Sequence, residues 1–149
     1  MLMLLRFFAV ARVASLMGDM LPVRNDADAR LRFDIAAAIV AVTDDLHEQD
    51  LLASIARWES HYRADVVNCT TLGPQKERGA WQILARSPAE RRALCVSIEG
   101  DARIALERVR ESLTVCARNK DESTKLALYA RGSCTSREGQ RLSKTRWVK

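Results

Sequence analysis

The chain has 149 residues, 48% of them hydrophobic and 29% charged, an ordinary balance for one globular domain with a single core. Aromatic residues are only 5%, with 6 Gly and 3 Pro, which argues for helices and against a sandwich or barrel. The net charge of +5 and pI near 9.3 suit a polyanionic partner: nucleic acid, an anionic membrane or the anionic polymers of a bacterial wall. The basic residues are nevertheless interleaved with acids, as in RIALERVRES at 103–112, and no basic block is flanked by stacking aromatics. Nucleic-acid binding is therefore not expected.

The first stretch, MLMLLRFFAVARVASLMG, is apolar but interrupted by Arg6 and Arg12, and it is too short to span a bilayer. Ala9-Val10-Ala11 would pass as a small-residue cleavage site. Residues 1–24 are accordingly expected to be an imperfect signal peptide or an arm, and residues 25–149 the folded domain, with no stable membrane insertion. From about Asp28 to Val42, Leu31, Ile35, Ala38 and Val42 recur at steps of four, three and four, the spacing of a helical stripe. Thr43-Asp44-Asp45 offers capping side chains to a second helix, from about Asp45 or Leu46 to Tyr62. Residues 63–78 are polar, contain Gly73-Pro74 and lack periodicity, which predicts a loop of a length that is usually functional. Gly79 to Ala85 reads as a short helix, and Ser87-Pro88 starts another reaching Cys95. Asp101 reads as the N-cap of the longest helix, which runs to about Arg118 with Ala102, Leu106, Val109, Leu113 and Cys116 on one face. A helix from Glu122 to Ala130 stops at Gly132, and Thr135-Ser136 caps a last one toward Trp147. The expected fold class is all-α, with six or seven helices and little or no strand.

The four cysteines, Cys69, Cys95, Cys116 and Cys134, are 26, 21 and 18 residues apart. No CxxC pair occurs and His47 and His61 are not clustered with them, so no metal site is expected. An even number of widely spaced cysteines reads as two disulfides in an oxidising compartment. Of three connectivities, Cys69–Cys95 and Cys116–Cys134 is the expected one, since each pair would tie the end of a helical unit to a neighbouring loop. Each closure would contribute roughly 3 kcal/mol in the chain-entropy account.

Three short stretches carry the candidate chemistry. In IARWESHY, residues 55–62, Glu59 follows Leu52, Ile55 and Ala56 by seven, four and three positions, so it shares their apolar face. A carboxyl group projecting from such a stripe is desolvated and tends to keep its proton. Gly79-Ala80-Trp81-Gln82-Ile83 puts an aromatic and an amide directly after the long loop, and LALYARG at 126–132 puts Tyr129 beside a helix stop. An acid, an amide able to hold a sugar hydroxyl or acetamido group, and a phenol to position the acid suffice to cleave a glycosidic bond.

In order and wording these stretches resemble the lysozyme-like lytic transglycosylases, the group of soluble transglycosylases and goose-type lysozymes. There a helix ends in Glu-Ser, a loop leads to Gly-Leu-Met-Gln-Ile, and Ala-x-Tyr-Asn-Ala-Gly follows. The resemblance spans about residues 46–132. It implies a compact lysozyme-like helical domain, Glu59 as catalytic acid/base, Gln82 as a substrate-binding amide and Tyr129 as the phenol that orients Glu59. Ser60 matches the serine after the acid, and Trp81 falls in the substrate-contacting motif. The chain departs from the pattern at Ala130, where the family has Asn, at Ala80-Trp81 in place of Leu-Met, and in a longer loop after Glu59.

What the resemblance implies is cleavage of peptidoglycan glycan strands between N-acetylmuramic acid and N-acetylglucosamine to give 1,6-anhydro products. No cofactor is needed, and the protein is expected to be a monomer in the periplasm, the envelope or the medium. A hydrolytic lysozyme of the same fold, with Glu77 or Asp65 positioning water, is the alternative within the class. Outside it stands a non-catalytic helical domain binding the wall or nucleic acid.

Overall fold

A computed structural model describes residues 2–146. The order of elements is α1 (Leu2–Met20), α2 (Asp26–Val42), α3 (Leu46–Ser60), α4 (Ala64–Val67), α5 (Pro88–Ala93), α6 (Ile98–Val115), α7 (Glu122–Lys125), α8 (Ala127–Arg131) and α9 (Arg137–Arg146). The described residues are thus all-α, with a single isolated bridge between Arg78 and Ile83 and no strand. None of the described helices is long and apolar enough to cross a membrane. The chain divides into two compact units, residues 1–103 and residues 104–149.

The first unit is built around α3, whose apolar spacing buries Leu52, Ile55 and Ala56 completely. Asp45 caps its N-terminus by accepting the Glu48 amide at 2.9 Å, as a short side chain before an apolar run should. Helix α1 packs on α2 and α3 and gives Val13 and Met17 to the core at zero exposure. Arg12 ties α1 to α3 through Asp50 at 2.7 Å and Gln49 at 2.8 Å. Residues 2–20 thus form a helix that supplies core side chains, each worth about 1.5–3 kcal/mol when fully buried.

On α2 the buried face is not purely apolar. Ile35, Ala36 and Ile39 are buried, and so are Asp28 and Arg32, one turn apart and paired at 2.8 Å. The Arg32 guanidinium also donates to the carbonyls of Met17, Leu21 and Pro22 where α1 ends, and lies 5.0 Å from the Tyr62 ring centroid. Burial works to raise the Asp28 carboxyl, but hydrogen bonds and charge from Arg32 and Arg24 outweigh it and hold it below the usual range.

Two sequence expectations change between residues 78 and 101. Residues 79–85 are not a helix. Gly79 and Gln82 have φ of +72° and +47°, left-handed values that a right-handed helix cannot include. The chain instead makes a tight turn closed by Arg78 N to Ile83 O at 3.1 Å and the reverse bond at 2.9 Å. Helix α6 begins one turn before Asp101, because the Ser97 hydroxyl accepts the Gly100 amide at 3.0 Å and opens the helix there. Ser87 and Pro88 start α5 as their chemistry predicts.

In the second unit, Ala105, Leu106 and Val109 are buried along α6, and Cys116 is buried just past its end. The expected 122–130 helix is two shorter ones, broken at Leu126, where ψ is 2°. The break is held by Ser112, whose hydroxyl donates to Lys125 O at 2.6 Å and accepts the Tyr129 amide at 3.1 Å. Gly132, at φ +69°, ends α8 in the left-handed geometry that favours glycine. Trp147, the expected end of the last helix, lies outside the described residues. Both disulfides form with the expected pairing, Cys69–Cys95 in the first unit and Cys116–Cys134 in the second.

Candidate functional site

Glu59 stands where the completely buried stripe of α3 reaches the helix end, and it is half-buried there. The helix stops abruptly after it. His61 and Tyr62 take φ of +52° and +53°, two consecutive non-glycine residues in the left-handed region. Such strain persists only where surroundings enforce it, and here they do. Tyr62 has zero exposure, donates its hydroxyl to Ala53 O at 3.0 Å and lies under the Arg32 guanidinium. Burial pushes its phenol up, against the opposing charges of Arg32 and Arg57.

Ser60 is buried at 2% exposure. Its hydroxyl donates to Ala56 O at 2.8 Å and accepts the Tyr62 amide at 3.2 Å. It builds the turn that sets the direction of Glu59 and is not offered to a ligand. Trp58 flanks the acid at the surface, with the Arg57 guanidinium 4.8 Å from its ring centroid and His61 edge-on at 6.4 Å.

The 78–83 turn is fastened to α3 by Trp81, which has zero exposure and donates its indole N–H to Leu52 O at 3.0 Å. Trp81 is therefore an anchor inside the core and presents no face to a sugar. Fixing it places the next residue, Gln82, half-buried at the surface, with its side-chain amide donating to Gly79 O at 3.0 Å. The long loop brings Glu77 to the same spot. A Cβ at Gly73 would meet the Glu77 carboxylate and the Gln82 amide oxygen, so the two polar groups converge over that glycine. Glu77 also accepts the Gln75 amide at 2.8 Å, turned back on its own loop. Asp65 is engaged by Arg63 at 2.5 and 3.1 Å, and those hydrogen bonds hold its carboxyl below the usual range. Tyr129 belongs to the second unit, half-buried on α8.

One carboxylate was read in the sequence only as a cap. Asp101 is 2% exposed, accepts the Cys95 amide at 2.8 Å and packs so closely on Gly79 that a Cβ there would strike it. Burial raises its carboxyl to about 6, against the lowering effect of the Cys95 hydrogen bond. A folded value above the unfolded 3.8 means the folded chain holds a proton that the unfolded chain has lost. The protein should therefore lose stability as pH rises from about 4 to about 6, by about 3 kcal/mol at most. Asp101→Asn keeps the acceptor and removes the titration. Melting curves across that range should be flatter for the variant than for the wild type, and parallel curves would refute this account.

Among the described residues, the cluster nearest to a metal-ligand set is Cys69, Cys95 and Asp101, whose sulfurs are joined to each other as a disulfide. Compared with protein-family models, curated proteins and solved structures, the chain matches none of the three, so its functional reading stands on its own residues.

Proposed function

We propose that this chain is a lytic transglycosylase cleaving the glycan strands of peptidoglycan, with Glu59 as its single acid/base. The observation that carries the reading is the placement of Glu59. It is the half-exposed end of a stripe whose other members, Leu52, Ile55 and Ala56, have no exposure, held by a strained turn immediately after it. The resemblance of the stretches around Glu59, Gln82 and Tyr129 to that enzyme family supplies the substrate class. The net charge of +5 favours an anionic wall polymer, and two disulfides suit an oxidising setting such as the cell envelope or the medium.

In this mechanism Glu59 gives its proton to the oxygen linking N-acetylmuramic acid to N-acetylglucosamine while positive charge develops on the sugar ring. The carboxylate left behind takes the proton of the sugar's own C6 hydroxyl, which attacks C1 and closes the 1,6-anhydro ring. That hydroxyl is held intramolecularly at high effective concentration. Gln82, presented by the Trp81-anchored turn, offers an amide to a sugar substituent. A hydrolase would need a second carboxylate roughly 5–5.5 Å or 6.5–9.5 Å from the acid. Its two loop candidates, Asp65 and Glu77, are both engaged within their own segments.

Digestion of purified peptidoglycan in heavy-oxygen water tests the reaction type. Mass spectrometry should find unlabelled 1,6-anhydromuropeptides, and Glu77→Gln should leave most of the activity. Label at the new sugar terminus, together with loss of activity in Glu77→Gln, would make the protein a lysozyme instead.

A further inference from the structure

All four cysteines are in disulfides, and the two bonds sit in different chemical settings. Cys69 and Cys95 both have left-handed backbones, with φ of +58° and +70°; among the described residues, Cys116 and Cys134 do not. Both half-cystines thus carry strained backbone, and their bond is one restraint on it beside the Cys69 amide on Val66 O and the Cys95 amide on Asp101. Cys95 lines a pocket of about 260 Å³ together with Asn68, Val96, Ser97 and Asp101, whereas Cys116 is buried at 2% exposure and only its partner Cys134 is half-buried. The Asp101 carboxylate and the two sulfurs lie within 4.8 Å of one another.

We propose that Cys69–Cys95 is a thiol–disulfide exchange site that takes a small thiolate, of the glutathione class, at the Cys95 sulfur, with Asp101 giving a proton to the departing Cys69 sulfur. The incoming sulfur bonds to Cys95 as the Cys69–Cys95 bond breaks, and the electron pair leaves on Cys69. The carboxyl proton of Asp101 moves to that thiolate, and Asp101 regains a proton from the one the attacking thiol released on ionising. A second thiolate then attacks the small-molecule sulfur of the mixed disulfide and expels Cys95 as a thiolate. In sum the protein disulfide gains two electrons and two small thiols become one disulfide. The raised affinity of Asp101 for its proton, a consequence of burial, suits it to donate near neutral pH. Because the segment between these cysteines carries Glu77, Trp81 and Gln82, the exchange unties its ends. The inference does not depend on the glycan reading.

The test exposes the native protein to reduced glutathione, quenches in acid, alkylates and maps the peptides by mass spectrometry. A glutathione adduct on Cys95 and a free thiol at Cys69 should form at least roughly tenfold sooner than any thiol at Cys116 or Cys134. Equal rates at the two disulfides, or an adduct on Cys69 in place of Cys95, would overturn the assignment. Asp101→Asn should slow release of the Cys69 thiol roughly tenfold and leave the Cys116–Cys134 rate unchanged. Unchanged or faster release in a folded variant removes Asp101 from the step. Should that variant not fold, the wild-type comparison of the two disulfides still decides.

Discussion

Glu59→Gln should abolish turnover of peptidoglycan, by on the order of 10²-fold or more, as expected for removal of a proton-transferring group. The amide has the shape of the acid, but it cannot cycle a proton. Binding to insoluble peptidoglycan and the melting temperature should therefore stay near wild type. The contrast with Ser60 sharpens the experiment. Ser60→Ala removes two hydrogen bonds of the turn, so it should act on stability first and on turnover through the direction of Glu59. Tyr129→Phe, which removes one hydroxyl, should be milder than Glu59→Gln. A folded Glu59→Gln protein with near-normal turnover would take Glu59 out of the chemistry altogether.

Arg32→Ala should lower stability by about 3–5 kcal/mol, the usual cost of breaking a buried ion pair by removing one partner, although Arg24 still reaches Asp28 at 3.6 Å. Out of a total of about 5–15 kcal/mol for a domain, that is a drop in melting temperature on the order of 10 °C. Three things fail together: Asp28 keeps a buried charge, the Met17, Leu21 and Pro22 carbonyls lose their donor, and the Tyr62 ring loses its cation. The pH dependence distinguishes the charge effect from simple loss of packing. The folded Asp28 carboxyl ionises below its unfolded value of 3.8, so its contribution is complete above that pH and lost as pH falls through the folded value. The deficit of Arg32→Ala should shrink in acid, where Asp28 is neutral in both proteins. Replacing both residues, as Asp28→Leu with Arg32→Met, should cost less than Arg32→Ala alone. A loss that is constant with pH would assign the whole effect to packing.

Periodicity and caps made much of the helical order legible. The 28–42 stripe and the Asp45 cap place α2 and α3, and Ser87-Pro88 places α5, because each signal is local and its physics is complete within one or two turns. The half-buried position of Glu59 follows from the same spacing. What escaped depends on contacts between distant residues. Asp28 and Arg32 are spaced like a solvated surface pair, and only the carbonyls at the end of α1 make that face an interior one. Trp81 and Gln82 are adjacent, yet one enters the core and the other reaches the surface, because Gln82 takes a left-handed φ that a helical reading of 79–85 forbids. Asp101 looked like a cap because it follows Gly100, whereas Ser97 had already started the helix.

The Arg32 guanidinium has a further meaning as a thermodynamic link. It joins the last carbonyls of α1 to the Tyr62 ring, and Tyr62 is half of the left-handed pair that terminates the helix of Glu59. Binding free energies shared in this way are reciprocal. A glycan that grips only the ordered 59–62 turn should slow amide exchange in α1, far from any sugar. Loosening α1 should weaken that glycan by the same factor. If the protein binds glycan as proposed, residues 2–20 are energetically part of that ligand's environment, although no sugar need touch them.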